Sequence, residues 1–220
     1  MRIRKKKWAE PELSVCDFYV AEPEELRGKW KSRFKNDNPI MLEVGCGKGS
    51  FAGQLALAHP EINYIAVDIK LDMLGVGRRN IVKLFENSGR EVDNLLLTRY
   101  NVEMLDKILS PDDHIARVYI NFCNPWPRPK HNKRRLTYPK KLRMYRELLT
   151  GGDELHFKTD DDALFADTLG YLREEGFNVK VITYDLHESD VDPAETPMTE
   201  HEKMFSDEGV RIKYLVAVKG

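Results

Sequence analysis

The sequence predicts an α/β fold in which a mostly parallel sheet carries helices on both faces. Short apolar runs of strand length alternate along the chain with segments of helical periodicity. Strands separated by helices usually pair in parallel, because the connection has to cross back to the starting end of the sheet. No apolar stretch reaches about 18 residues, so no membrane span is expected.

Five apolar runs are interpreted as the parallel strands of this sheet. They are residues 40–44, 63–69, 94–100, 116–122 and 154–159. Helical periodicity lies between or after them, at residues 50–60, 71–89, 102–109 and 139–152. These alternating segments account for the central part of the predicted fold.

The C-terminal part of the chain has a different pattern. "NVKVITYDL" and "VRIKYLVAVK" are β-rich runs with no clear helix between them, so we predict an antiparallel pair at the sheet edge. The polar residues 185–208 join the two runs, and so long a loop in a compact domain is usually functional or disordered.

Length and composition favour one domain. The chain has 220 residues, of which 41% are hydrophobic and 32% charged, as in soluble globular proteins. We predict a basic N-terminal arm over residues 1–36, with a short helix at residues 21–34, and a single domain over residues 37–220. The basic N-terminus lacks the apolar core of a secretory signal. Three scattered cysteines without metal-ligand spacing favour the reducing cytoplasm and predict no metal site.

Positive charge is concentrated, although the net charge is only −1. The segment 128–146 contains nine Lys or Arg residues and no acid. A solvated helix face is the usual meaning of such a run, but this imbalance favours an anion-binding surface. The predicted phosphate contacts are Lys130, Lys133, Arg134 and Arg135. The N-terminal "RIRKKKW" is a candidate second phosphate clamp.

The segment "LEVGCGKGSF" joins the first predicted strand to the first helix. Gly45, Gly47 and Gly49 allow a tight turn and close approach of a ligand, although a turn without a ligand is the alternative. A dinucleotide fold would instead have the spacing G-x-G-x-x-G. Glu43 would repel a pyrophosphate and favour a cationic group, whereas Asp68 is placed to bind ribose hydroxyls. Together these residues predict S-adenosylmethionine as the ligand.

Two asparagines follow predicted strands and have open roles. Asn101 could meet the adenine edge or cap the helix after it. Asn124 begins "NPWPRPKHNKRRL", which places an amide at the mouth of a strand before a stiff loop and the basic run. Trp126 in this loop could stack on a base or anchor the loop to the core.

The motifs "LEVGCGKG", "AVDI", "NPWPRPKHNKRRLTYP", "FKTDD" and "TEHEKMF" occur in this order. With them the chain resembles the bacterial tRNA (guanine-N7-)-methyltransferases from about residue 15 onward. The resemblance implies a Rossmann-like class I methyltransferase with a mostly parallel seven-stranded sheet and an antiparallel C-terminal edge pair. It further implies methyl transfer from S-adenosylmethionine to N7 of a guanosine in the tRNA variable loop. Members of the family are monomers or homodimers.

The resemblance also implies roles for particular residues. Asn101 and Asn124 join Glu43 and Asp68 as expected cofactor contacts. The expected substrate contacts are Arg128, Asp160, Thr199, Glu200, His201 and Glu202. Asn124 stands where the family usually has Asp, and Arg128 stands where it usually has Lys.

The chemistry of guanine N7 explains why a neutral Asn124 is acceptable. N7 carries an in-plane lone pair and no proton, so no base has to activate it. Asn124 and Asp160 are the expected catalytic residues, Asn124 by holding a carbonyl dipole near the purine as positive charge develops there. Asp160 could accept the guanine N1–H and N2–H or cap the following helix. Residues 199–202 are interpreted as a lid or as the cap of a short helix.

Three other functions fit parts of the sequence. A methyltransferase acting on another RNA site or on a protein amide nitrogen would share the glycine loop, but Pro127 stands where N-P-P-Y enzymes have an aromatic residue. A non-enzymatic RNA-binding module would not need Glu43 and Asp68. A nicotinamide dehydrogenase is the weakest alternative, because the loop lacks its glycine spacing.

Overall fold

The computed structural model describes residues 5–220, in which eight strands form one sheet. The strands are β1 (Tyr19–Val20), β2 (Ile40–Val44), β3 (Asn63–Asp68), β4 (Leu95–Arg99), β5 (Ile115–Asn121), β6 (Glu154–Thr159), β7 (Phe177–Thr183) and β8 (Lys213–Lys219). Their order across the sheet is β1-β4-β3-β2-β5-β6-β8-β7. Strands β1 to β6 are mutually parallel, and β8 runs antiparallel to both β6 and β7.

Six α-helices accompany the sheet in the described part of the chain. They are α1 (Ala9–Ser14), α2 (Ser50–Ala58), α3 (Leu71–Asn87), α4 (Pro139–Leu148), α5 (Asp162–Glu174) and α6 (Glu200–Asp207). Every residue of β2 and β3 is buried, which is why these strands appear in the sequence as continuous apolar runs. Across residues 5–220, no helix has the length and apolar character that would let it cross a membrane.

The predicted α/β fold class and its antiparallel C-terminal pair are confirmed, but the predicted strand count is one too low. The additional strand β1 has two residues, which pair in parallel with Leu97 and Thr98 of β4. Two residues are too few to produce an alternating pattern, so the sequence contains no signal for this strand.

Several local elements also differ from the sequence prediction. The connection 185–208 contains α6, and residues 102–107 form a 3₁₀ helix with a kink at Met104 in place of an α-helix. Residues 21–34, where the short N-terminal helix is predicted, form two 3₁₀ turns, Pro23–Leu26 and Trp30–Arg33, and the α-helix of this segment lies earlier, at Ala9–Ser14. Short polar helices depend on caps and packing more than on periodicity, which explains these differences.

The N-terminal segment contributes directly to the core of the molecule. Helix α1 packs on α3, with Ala9 and Leu13 buried between them. The fully buried Trp30 donates a hydrogen bond from Nε1 to the Ile108 carbonyl, at 2.6 Å. Residues 5–36 therefore share one hydrophobic core with the sheet.

We expect Gly75→Ala to destabilise the protein by detaching α1. A Cβ atom on Gly75 would overlap the side chain of Ala9, and overpacking of this kind typically costs about 1–3 kcal/mol. Urea unfolding should show the loss. Gly170→Ala in α5 is the matched control, because its Cβ would meet no atom within 4 Å. Equal stability of the Gly75 variant and the wild type would contradict close packing of α1 on α3.

Candidate active site

The glycine loop between β2 and α2 has the backbone that the motif predicts. Gly45, Gly47 and Gly49 have φ values of 78°, 56° and 63°, all in the left-handed region that side chains disfavour. The Gly47 amide donates to Asp68 Oδ2 at 2.9 Å, and the Lys70 amide donates to Oδ1 at 2.7 Å. Asp68, at the end of β3, therefore holds the loop in shape.

Glu43 on β2 is a buried acid with half of its carboxylate unpaired. Its side chain is enclosed (2% exposed), and Asn121 Nδ2 donates to its Oε1 at 3.1 Å. Its Oε2 has no hydrogen-bond partner among residues 5–220. Burial raises the pKa of Glu43 to about 7, against the opposing effects of the Asn121 hydrogen bond and the Lys158 charge. The site is thus suited to a cationic ligand group.

A cavity of about 370 Å³ opens beside Glu43 at the carboxyl ends of the parallel strands. This edge is where open α/β sheets bind ligands. Its floor comes from β2, β5 and the glycine loop, and its roof comes from α6. The lining residues are Glu43, Gly45, Cys46, Gly47, Lys48, Ser50, Phe51, Met73, Asn121, Phe122, Thr199, Glu200, His201 and Met204.

Helix α6 covers the cavity and begins with a capping box. The Glu202 amide donates to Thr199 Oγ1 at 3.0 Å, and the Thr199 amide donates to Glu202 Oε2 at 3.2 Å. Glu200 and His201 line the cavity. Glu202 instead turns inward (1% exposed), where its Oε2 lies 2.7 Å from Lys158 Nζ. Residues 199–202 thus cap α6, as one interpretation of the sequence predicts, and they also cover the cavity, as the other predicts.

The loop after β5 contains strained backbone around Asn124. Phe122 and Trp126 have φ values of 48° and 44°, which are uncommon for residues other than glycine. Asn124 is exposed, and its Oδ1 accepts a hydrogen bond from the Trp126 amide at 3.0 Å. The side-chain carboxamide of Asn124 therefore stabilises the turn. Left-handed backbone at residues other than glycine is common at functional sites.

The structure shows which of Asn101 and Asp160 caps the helix that follows it. Asn101 does cap the following 3₁₀ helix, since its side chain accepts from the Glu103 amide at 3.0 Å. Asp160 does not cap α5, because Asp161 accepts the Leu164 amide at 2.7 Å. The carbonyl of Asp160 accepts a hydrogen bond from Lys213 Nζ at 2.9 Å.

Four of the five cations in residues 128–135 are exposed, namely Arg128, Lys130, Lys133 and Arg134. The Arg134 guanidinium lies 5.0 Å from the centre of the Trp126 ring. Arg135 is different, because its guanidinium is buried and bonds the Pro125 carbonyl at 2.7 Å and Asp167 at 2.5 Å. Arg135 therefore supports the loop from inside.

The second predicted phosphate clamp is described only from Lys5 onward. Its Arg2 and Arg4 lie outside the described residues. Lys5 and Lys7 are exposed, and the Lys6 amide donates to Asp72 Oδ1 at 2.6 Å.

The structure brings part of the predicted site together in one cavity. The members are Glu43, Gly45, Gly47, Thr199, Glu200 and His201. The other predicted cofactor and substrate residues are not among the lining residues, namely Gly49, Asp68, Asn101, Asn124, Arg128, Asp160 and Glu202. The sequence analysis missed Asn121 and Phe122, whose only signal was their place at the end of an apolar run.

Comparison with solved structures supports the fold. The 16S rRNA methyltransferase KamB has a TM-score of 0.58 at 14% identity, covering 87% of this chain and 93% of KamB. A precorrin-6y C5,15-methyltransferase from Geobacter metallireducens has a TM-score of 0.54 at 15% identity, covering 99% and 90%. The chain therefore has the fold of these methyltransferase structures.

The sequence relatives are much closer. The family described as "Putative methyltransferase" matches residues 37–215. A tRNA (guanine-N(7)-)-methyltransferase of Clostridium beijerinckii is 53% identical, covering 100% of this chain and 99% of the relative. One from Acetivibrio thermocellus is 43% identical and covers both chains completely. The chain belongs to the tRNA (guanine-N(7)-)-methyltransferase family.

Proposed function

We propose that this enzyme transfers a methyl group from S-adenosylmethionine to N7 of a guanosine in the variable loop of tRNA. The observation that carries the proposal is the buried, half-paired Glu43 in a cavity at the same sheet edge as the Asn124 loop and the exposed cations. The relatives named above support the choice of RNA and of the guanine atom. We infer that the reaction takes place in the cytoplasm.

The residues of the cavity fit S-adenosylmethionine. The unpaired Oε2 of Glu43 would accept the ammonium of the methionine part. The left-handed glycines leave the loop backbone free of side chains, so the cofactor can approach it closely. Asp68 would accept the ribose hydroxyls and Asn101 would meet the adenine edge. When bound, the cofactor supplies a methyl group made electrophilic by its sulfonium.

The protein has to align the guanine and stabilise positive charge that moves onto it. Alignment of the two reactants is worth several kcal/mol of the barrier, and N7 needs no base. The side-chain oxygen of Asn124 accepts the hydrogen bond that stabilises the turn. The dipole of the same side-chain carbonyl would stabilise the positive charge that develops on the purine. Asp160 is the proposed acceptor of the guanine N1–H and N2–H, and Arg128, Glu200 and His201 are the proposed groups around the base.

Nucleoside mass spectrometry tests this function. Unmodified total tRNA incubated with the enzyme and S-adenosylmethionine should gain N7-methylguanosine. A transcript in which adenosine replaces the variable-loop guanosine should gain none. Methylation of that transcript would indicate another RNA site, and label appearing only in added protein would indicate a protein amide nitrogen.

We expect replacement of Lys130, Lys133 and Arg134 by alanine to weaken tRNA binding and to flatten its salt dependence. Each lost phosphate contact should lower the log–log slope by about 0.7–0.9. Such contacts position RNA without reading its sequence, so cofactor affinity should not change. The control removes the same charge elsewhere, at the exposed Lys35, Lys83 and Lys180. Equal slopes for the two triple variants would show that the segment does not contact RNA.

A further inference from the structure

The side chain of Lys158, near the end of β6, is a buried cation whose charge acts on Glu43 but to which the proposed chemistry assigns no contact with cofactor or substrate. It is 0% exposed, and its ammonium donates to Thr196 Oγ1 at 2.9 Å, the Pro197 carbonyl at 3.2 Å and Glu202 Oε2 at 2.7 Å. All three acceptors belong to residues 196–207, which we call the lid. One ammonium has three protons, so its whole donor capacity is used on the lid.

Stability alone is a poor reason for this arrangement. The free-energy cost of removing both charges of a buried ion pair from water is about as large as the attraction between them. Well-packed apolar residues therefore often replace such pairs without loss of stability. A buried pair instead fixes the relative position of the two segments that carry it, because donors and acceptors must meet at defined distances and angles. The ammonium also lies near the rings of Phe51 and Phe122, whose centres are 5.3 Å and 5.8 Å from Lys158 Nζ.

The contacts continue from Lys158 to the cavity. Glu202 Oε2 accepts from both Lys158 and the amide of Thr199, so the ion pair and the helix cap share one oxygen. The cap sets where α6 starts, and the next residues, Glu200 and His201, face the cavity. Two hydrogen bonds also join the lid to the glycine loop and α2, from Lys48 to Glu200 and from Gln54 to the Met198 carbonyl, and both are exposed and therefore weak.

We infer that Lys158 is a positioning residue that holds the lid over the cavity, so that Glu200 and His201 are placed for cofactor and substrate. This inference rests on the proposed function for the ligands it names. It also assigns Glu202 a role different from the substrate contact that the family resemblance implies. Glu202 reaches the buried ammonium, and it acts on the substrate only through the position of its neighbours.

The test separates positioning from stability. Lys158→Met alone removes the ammonium partner of the buried Glu202 carboxylate and leaves it the imidazole of His187, 3.3 Å from its Oε1, so the protein should lose stability. The double variant Lys158→Met with Glu202→Gln removes both charges, and Gln can keep the capping box. Thr196→Val is a mild variant that deletes one of the three acceptors. The control for a general loss of stability is Leu109→Ala, which truncates a buried core side chain outside the lid.

Two measurements are made on each full-length variant. Hydrogen exchange without ligand reports protection of the lid amides, and calorimetry reports the affinity for S-adenosylhomocysteine. The double variant should regain thermal stability relative to Lys158→Met. It should nevertheless exchange its lid amides about tenfold faster than wild type and bind the ligand about tenfold more weakly. Thr196→Val should change lid-amide exchange and ligand affinity in the same direction by a smaller factor. Leu109→Ala should lower the melting temperature without either local change.

Wild-type lid protection and ligand affinity in the double variant would overturn the inference. If the double variant does not fold, Thr196→Val decides, and unchanged lid exchange would then overturn it. The hydrogen-exchange result does not depend on any ligand. Failure of the wild type to bind S-adenosylhomocysteine would therefore reject the proposed cofactor while the exchange data still decide the role of Lys158.

Discussion

Replacement of Asn124 by alanine should lower the single-turnover rate of methyl transfer by about 10²–10³-fold, the usual loss for one preorganised polar group. The change removes the carbonyl dipole proposed to face the purine. It also removes the hydrogen bond that Asn124 accepts from the Trp126 amide, so the left-handed turn loses a support. Both effects act on the same loop, and tRNA affinity should change much less than turnover.

The aspartate variant separates charge from position. Asn124→Asp keeps an oxygen for the Trp126 amide and adds a negative charge near the developing purinium. We expect it to be active, with a rate equal to or above that of wild type. Rates are measured as single-turnover methyl transfer to variable-loop guanosine between about pH 6 and 9. Wild type should lack a steep acid limb due to residue 124, because an amide cannot act as a base.

Two outcomes would reject this account of Asn124. If the alanine variant matches wild type, Asn124 only shapes the loop at the end of β5. If the aspartate variant is inactive while the alanine variant is active, negative charge is harmful at this point and the charge-migration argument fails. Asp160→Asn is the accompanying variant, since Asp160 would be the first candidate for any base.

Cofactor affinity should fall as the pH drops below about 7, through Glu43. The pKa of this buried carboxyl is about 7, so the free protein holds a proton there that must leave before the carboxylate can pair with an ammonium. At pH 5 only about 1% of the molecules carry the charge, which allows up to about a 100-fold loss of affinity. Glu43→Gln should bind weakly at every pH.

Calorimetry with S-adenosylhomocysteine measures this effect directly. Titrations in buffers of different ionisation enthalpy should show a proton released on binding below about pH 7. His201 also lines the cavity, so His201→Gln is the control and should keep the pH dependence. Normal, pH-dependent binding by Glu43→Gln would show that Glu43 does not contact the cofactor.

The same carboxyl links pH to the stability of the ligand-free protein. Folding raises its pKa from an ordinary value of 4.5 to about 7. Between pH 4.5 and about 7 the folded state therefore holds more protons than the unfolded state. The free energy of unfolding should therefore decrease as the pH rises from about 4.5 to 7 and level off above it. The Glu43→Gln variant should lack this part of the stability profile in urea titrations.

The sequence by itself determined the sheet, the glycine loop and the family. Continuous apolar runs such as residues 40–44 predict buried parallel strands, because such strands are covered on both faces. The spacing of Gly45, Gly47 and Gly49 predicts the loop, because left-handed backbone is a local property that glycine supplies. These features depend on residues close together in the chain, and a pattern search can find them.

Tertiary structure decided the features that join distant segments. The pairing of β1 with β4, the inward turn of Arg135 and the contact of Lys158 with Glu202 each link residues far apart in the chain. In sequence, Arg135 and Glu202 look like their exposed neighbours, since a charged side chain shows no sign of its burial. Whether a charge is buried depends on the partner that folding brings to it, and that partner can come from any part of the chain.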